Sequence, residues 1–416
     1  MMTLLTLLLS VTMVMAGYYD GHQVLRVLPK LQSDVHAVVA LGEELGVDFW
    51  HYPHSANDSF HVRVSPQVFD PFMTVMRSLG LEVTVMMDNV QEHVDREKAS
   101  IRRRRSTASG SRNINFETYH TLNEIESYVD GLASTGNVEV SVEKLEPATV
   151  EFRNLRLVKI SRSDSTATES IFVDCGIHAR EWVTPAFCLY LIEKLMEGDN
   201  KVLDMYDWLI IPVANPDGYA YSHQGESQRM WRKNRNRNGN GLCYGVDLNR
   251  NFELGFGGEG TSGQKCSDLY RGTGAFSERE STAIKYATES RGNIKAYLNV
   301  HSYSQYWMTP WGYTHTPPQD IDELKCVGEI AKQAIFEKYG TEYQVGSPGE
   351  LLYLAAGGSF DWVKGQLLVP YSYALELRDK GSYGFVLPVE QILPTVEETW
   401  DGVQAMAQAI FNNECN

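Results

Sequence analysis

Positive charge is scarce in this 416-residue chain: 37 lysines and arginines face 53 aspartates and glutamates, for a formal net charge of −16. Such a surface repels phosphate backbones and anionic lipid, which argues against nucleic-acid and membrane-surface roles. Beyond the first sixteen residues no stretch reaches about 18 uninterrupted apolar positions, so no membrane span is expected. No two cysteines are spaced Cys-x-x-Cys, which removes zinc-knuckle and thioredoxin-type readings. Internal repeats and extended low-complexity tracts are also missing.

What is present fits a large domain plus a smaller one. Composition is ordinary for a globular protein, with 43% apolar and 22% charged residues. Residues 4–15 are mostly apolar, and Val14-Met15-Ala16 offers a cleavage point after Ala16, although no Lys or Arg precedes the run. Residues 1–16 therefore read as a secretory signal peptide, and the protein as secreted and extracellular. A buried N-terminal helix is the competing reading and fits the cysteines less well. Cys175, Cys188, Cys243, Cys266, Cys326 and Cys415 are even in number, as an oxidising compartment favours, but six cysteines allow 15 pairings. Asn57-Asp58-Ser59 is a glycosylation sequon.

Four arginines, Arg102 to Arg105, precede the small polar stretch 106–111. This reads as an exposed linker and a natural cut for a trypsin-like or furin-like protease. The alternatives, a nuclear-localisation or heparin patch, conflict with the signal and the acidic remainder. Before the linker, residues 23–28 alternate polar and apolar, 35–45 carry helical spacing, and 61–64 and 81–85 look like further strands. This is a small α+β unit without any constellation of ligands or nucleophiles. After the linker, strand-like runs at 170–176, 208–213, 295–300 and 371–377 alternate with helical patterns at 185–197, 321–339 and 395–411. The expected fold class is α/β, a mixed, largely parallel sheet flanked by helices. Its long loops rich in Gly, Asn, Tyr and Trp are where such folds place their sites.

Four clusters carry chemistry. Run 170–176 ends at a glycine, and the turn after it presents His178 and Glu181. Spaced His-x-x-Glu, they can reach one cation, although the motif alone is weak. Run 295–300 delivers His301 at its carboxyl end. Read alone it is a satisfied core histidine; with the first pair it completes the open three-ligand set of a catalytic zinc. In 245–252, Asp247 could orient a metal-bound imidazole, and Arg250 offers a planar fork suited to a carboxylate. A loop ion pair is the bland alternative. Glu376 sits inside the apolar run 371–377, where an acid is costly unless paired or functional.

These residues, together with Asn215-Pro216-Asp217-Gly218-Tyr219, Trp231-Arg232-Lys233, His301-Ser302-Tyr303-Ser304, the stretch 353–362 and Glu376-Leu377-Arg378-Asp379, give the chain its resemblance. It resembles the pancreatic-type zinc metallocarboxypeptidases of the A/B subfamily in zymogen form, over nearly its whole length. The resemblance implies a carboxypeptidase-like catalytic domain at 106–416 behind an activation prosegment at 17–105. It implies one zinc ion per chain held by His178, Glu181 and His301, with Asp247 behind the first histidine. It implies Glu376 as general base and Arg232 as the cation beside the oxyanion. Asn249 and Arg250 would grip the substrate's terminal carboxylate, and Arg180, Tyr303, Tyr353 and Phe360 would also bind substrate. It implies disulfides Cys243–Cys266 and Cys175–Cys188; parity then leaves Cys326 with Cys415. Its partners would be peptide or protein C-termini and an activating trypsin-like protease, with no nucleic acid or membrane, and the chain a monomer.

The sequence departs from the family pattern in three places. Phe360 stands where A-type members usually carry an aliphatic residue and B-type members an aspartate, Leu354 follows Tyr353 where glutamine is common, and one extra residue lies between Trp362 and Glu376. With Gly312, Ala355 and Ala374 small and uncharged, apolar or aromatic C-terminal residues are expected, Leu ahead of Trp. Two rival functions are an amidohydrolase on the same fold and a catalytically inactive binding protein. The prosegment and the regions of Trp231 and Tyr353 argue against the first, and the filled catalytic positions against the second.

Overall fold

Residues 23–28 of the computed structural model form strand β1 (Gln23–Leu28), buried on both faces except at Arg26 and the two ends. The structure describes residues 17–53, 55–107, 114–164, 167–197, 201–239 and 241–415; the expected signal at 1–16 and the stretch 108–111 lie outside them. Strand β1 is central in an antiparallel sheet with β2 (Asp48–His51), β3 (Phe60–Val64) and β4 (Glu82–Met87), in the order β2-β3-β1-β4. Leu25 and Val27 pack with Val38 of helix Gln32–Leu45 and Phe72 of helix Pro66–Ser78. Val24, Trp50 and Met87 instead pack against Tyr303, Phe385 and Val386. The small unit thus has its own core and a second apolar contact against the large one.

The arginine run differs from its reading as a linker. Arg102 to Arg105 lie on the last turns of a continuous helix, Val90–Thr107. The stretch holds five arginines and two glutamates, which favour a helix, and neither glycine nor proline, so nothing in it breaks one. Val90, Val94 and Ile101 are buried along it, while Arg102 and Arg103 are exposed.

The large unit is an eight-stranded mixed sheet: β5 (Val138–Lys144), β6 (Arg156–Arg162), β7 (Ser170–Cys175), β8 (Asp207–Ile211), β9 (Ile294–Ser302), β10 (Tyr306–Met308), β11 (Gln344–Gly346) and β12 (Tyr371–Leu377). Its order is β11-β10-β12-β9-β7-β8-β6-β5, with the four central strands β12, β9, β7 and β8 parallel. Helices Val183–Met196, Ile321–Tyr339 and Ile392–Asn412 cover one face; Arg279–Glu289 and Ser359–Gln366 cover the other. Strands buried on both faces read as unbroken apolar runs, which is why β7, β8, β9 and β12 were visible in the sequence. The three-residue strands β10 and β11 leave too short a pattern to read.

Candidate active site

The site lies at the carboxyl ends of the central parallel strands. β7 ends at Cys175, and Gly176 turns the chain with φ +67°; a Cβ there would meet Pro185 Cγ at 3.1 Å. The turn sets His178 and Glu181 side by side, with His178 Nδ1 2.8 Å from Glu181 Oε1. β9 brings in His301, whose Nδ1 lies 3.1 Å from His178 Nδ1 and 3.2 Å from Glu181 Oε2. All three side chains are buried. Buried electron-pair donors facing each other at this range repel unless something positive lies among them. Donor separations of roughly 3.3 Å are those of a tetrahedral zinc with bonds near 2.0–2.1 Å. The three residues therefore fit a metal ion.

Asp247 links this cluster to the residues beside it. Its Oδ1 lies 3.1 Å from His178 Nε2 and accepts from the Asn249 backbone N–H at 3.0 Å. Its Oδ2 accepts from Arg232 Nη2 at 2.8 Å and Nε at 3.1 Å. Burial would raise the Asp247 carboxyl, but Arg232, His178 and Arg250 hold it well below the usual carboxylate range. Arg232 Nη1 is also 3.9 Å from Glu181 Oε1.

Arg250 sits on the short 3₁₀ turn Leu248–Arg250, donating to Gly260 O at 2.8 Å and Asn249 O at 2.9 Å, with Tyr353 Oη at 3.4 Å. Gly357, at φ +77°, passes so close that a Cβ would stand 2.6 Å from Arg250 O. Asn249 Oδ1 accepts from the Ser359 N–H at 3.0 Å. Glu376 comes from β12, where it is the register partner of His301. Its Oε2 is shut off from solvent and has no hydrogen-bond partner among the described residues. Burial, reinforced by the Glu181 charge and only partly offset by Arg232 and Arg250, pushes the Glu376 carboxyl well above its ordinary value.

Phe360 stands in the first turn of helix Ser359–Gln366 and is buried. Its ring lies between two glycines: a Cβ on Gly312 would meet Phe360 Cζ at 3.3 Å, and one on Gly358 would meet Cδ1 at 3.6 Å. Together with Met308 and Ala374 it lines the cavity that also holds His178, Glu181 and His301. Arg232, Asn249, Arg250, Tyr303, Tyr353 and Glu376 line the same cavity, of about 80 Å³.

Arg180 does not line that cavity. It donates to Asp48 Oδ1 at 2.8 Å and Phe49 O at 3.3 Å, with its guanidinium 4.1 Å from the Phe385 ring centre. Asp48 and Phe49 belong to β2 of the small unit. The same unit engages Tyr303: His61 on β3 has Nδ1 2.8 Å from Tyr303 Oη, and the two rings stack. Trp50 and His51 also line the cavity. None of these five small-unit residues was singled out as a site residue in the sequence. Residues 48–51 form an aromatic, polar run too short to read as a strand, and His61 was visible only as part of the strand-like run 61–64. The structure pairs Cys175 with Cys188, Cys243 with Cys266 and Cys326 with Cys415.

Known proteins match both units. Residues 125–402 fit the family model described as zinc carboxypeptidase, and residues 25–97 that of the carboxypeptidase activation peptide. Carboxypeptidase A2 of Rattus norvegicus is 38% identical over 420 residues, 98% of each chain. Carboxypeptidase A1 of Bos taurus is 37% identical over 95% of each chain. Among solved structures, carboxypeptidase A from Helicoverpa armigera superposes with a TM-score of 0.86 at 30% identity, covering 95% of this chain and 99% of that one. The chain belongs to the zinc carboxypeptidase family and is a metallocarboxypeptidase zymogen, an exopeptidase carrying its activation peptide.

Proposed function

We propose that Glu376 is the general base, that Arg232 stabilises the oxyanion, and that Asn249 and Arg250 bind the free carboxylate of the substrate. The observation that carries this reading is the convergence of Glu376, Arg232 and Arg250 on one cavity with His178, Glu181 and His301. A zinc ion held by His178, Glu181 and His301 would acidify a bound water and polarise the scissile carbonyl. Glu376, which lines the cavity beside these three residues, would take the attacking water's proton and hand it to the leaving amine. The Arg232 guanidinium, oriented by Asp247, offers N–H groups to the developing negative charge. Arg250 and Asn249 select a chain end, because a mid-chain peptide carries no carboxylate there. An inactive binding protein with this fold has no need of a buried carboxyl oxygen without a hydrogen-bond partner beside three candidate metal ligands.

Phe360 floors the side-chain pocket in this reading. An apolar floor beside Ala374 and Met308 gives a terminal Lys or Arg no partner, whereas an apolar side chain gains about 25 cal/mol per Å² buried. Ring bulk makes Leu a better fit than Trp.

Residues 17–105 act as the prosegment and 106–416 as the enzyme, with cleavage by a trypsin-like protease at Arg102–Arg105 and secretion directed by 1–16. Two observations support latency before cleavage. Asp48 occupies Arg180 and His61 occupies Tyr303. The remaining cavity of about 80 Å³ has room for only a few waters. It is well below the ~300 Å³ of the smallest ordinary ligand pockets. The test is mass spectrometry of a peptide panel after limited trypsin treatment, with and without a chelator. Loss of single C-terminal residues that stops with chelator is the expected result; internal cleavage, or activity that survives zinc removal, overturns the reading.

A further inference from the structure

His301 has two ring nitrogens and the site uses one. Nδ1 faces His178 and Glu181, so the ring's hydrogen belongs on Nε2 when a cation is held. His178 solves the same problem with the carboxylate of Asp247, but among the described residues no carboxylate touches His301 Nε2. The group there is a neutral amide, Asn299 Oδ1, at 2.5 Å. Asn249 Nδ2, 3.1 Å from the same nitrogen, is itself a donor and cannot take that hydrogen.

The amide leads to a carboxylate one step further on. Asn299 Nδ2 donates to Asp174 Oδ1 at 2.6 Å, and Asp174 Oδ2 accepts the hydroxyl of Tyr297. Strand geometry explains the arrangement. Tyr297, Asn299 and His301 are spaced i, i+2, i+4 on β9 and share one face. Asp174 on parallel β7 is the register partner of Asn299. Asp174, Tyr297 and Asn299 are fully buried between helical layers, where an unpaired amide or carboxylate is costly.

We propose that Asn299, held by Asp174, is the positioning residue for the second zinc histidine: it fixes the tautomer and ring angle of His301 and passes the Asp174 charge to it through an amide. The inference rests on His301 being a zinc ligand and adds two residues with no previously derived role. In a purely structural alternative, Asn299 and Asp174 satisfy each other and their loss lowers fold stability without changing zinc affinity.

The full-length precursor carries the test. Zinc dissociation constants are measured by chelator competition, and the thermal midpoint of the zinc-free form is measured alongside. Asn299→Leu, nearly isosteric but unable to accept or donate, should weaken zinc binding by about 10–100-fold. Asp174→Asn should weaken it by a smaller factor. The double swap Asn299→Asp with Asp174→Asn keeps every hydrogen bond and puts the carboxylate directly on Nε2, so it should restore wild-type zinc affinity or exceed it. Should the leucine variant not fold, the swap against Asp174→Asn alone decides the question. The proposal is overturned if the folded single variants bind zinc within twofold of wild type, or if the swap is no better than Asp174→Asn. Failure of the wild-type protein to bind zinc would instead remove the metal site itself.

Discussion

Glu376 on β12 and His301 on β9 are register partners across two hydrogen-bonded parallel strands. A metal-binding imidazole and the candidate base are therefore spaced by the sheet itself, and neither depends on a mobile loop for its position. Rigid elements hold catalytic geometry more tightly than loops do. His178, Glu181 and Asp247 reach the same point from turns and are tied down by their neighbours: Asp247 Oδ1 lies against His178 Nε2 and accepts from the Asn249 N–H, and Glu181 Oε2 accepts from the Ser302 N–H at 3.4 Å.

Replacing the base separates chemistry from metal binding. Glu376→Gln keeps the shape of the side chain but cannot accept a proton. After trypsin activation, kcat should fall by about 10²–10⁴ with zinc content unchanged. Near-normal kcat at saturating substrate, with zinc bound, would remove Glu376 from this role.

Latency should depend on Asp48. Its carboxylate bridges Arg180 at 2.8 Å and Arg63 at 3.0 Å, and losing it leaves two guanidiniums facing each other across the interface. Asp48→Ala should raise the peptidase activity of the uncut precursor several-fold, read by comparing rates before and after trypsin. An uncut variant as silent as wild type would show that Arg180 is not the grip.

Acid should loosen the small unit, and His61 supplies the sign. Arg26 Nε donates to His61 Nε2 at 3.3 Å, so that nitrogen must be unprotonated in the docked state. Burial, with His51 and Arg26, pulls His61 down to about 2, and Tyr303 of the large unit stacks on its ring. Released, it would titrate near 6.5, so the undocked form binds more protons below that pH. The contribution to docking is whole above about pH 6.5 and declines as pH falls toward 2. Hydrogen exchange of β1 and β3 amides should accelerate between pH 7 and pH 5 after correction for intrinsic rates. His61→Gln should flatten part of that dependence, and identical profiles in variant and wild type would clear His61 of the effect.

Specificity should follow the Phe360 ring. For peptides differing only in the last residue, kcat/KM should be highest for Leu-like side chains, lower for Trp, and at least about a hundredfold lower for Lys or Arg, consistent with the cost of burying an unpaired cation. Phe360→Ala should raise use of Phe and Trp, and Phe360→Asp should shift preference toward Lys and Arg. A wild-type preference for basic residues would overturn the assignment.

By itself the sequence determined the elements buried on both sides and the identity of the groups that can do chemistry. Strands β7, β8, β9 and β12 were legible because both faces are covered, which leaves continuous apolar runs. Helix Ile321–Tyr339 was legible from end to end because its buried face repeats at helical spacing. His178, Glu181, His301 and Glu376 stood out because imidazole and carboxylate at the ends of such strands need a reason to be there. The antiparallel strand β5 was also open to reading, since Val138, Val140 and Val142 alternate with polar residues, but it was not recognised. Tertiary structure alone decided how the small unit meets the site. Asp48, Trp50, His51 and His61 lie far from the large unit in sequence, and their contacts arise only when β2 and β3 dock over the cavity. It also decided that Asn299 faces Asp174, because strand register is a pairing between distant segments and leaves no local pattern. The arginine run shows the same limit from the other side: its charge was plain in the sequence, while its helical conformation follows from the buried face of Val90, Val94 and Ile101 packing beneath it.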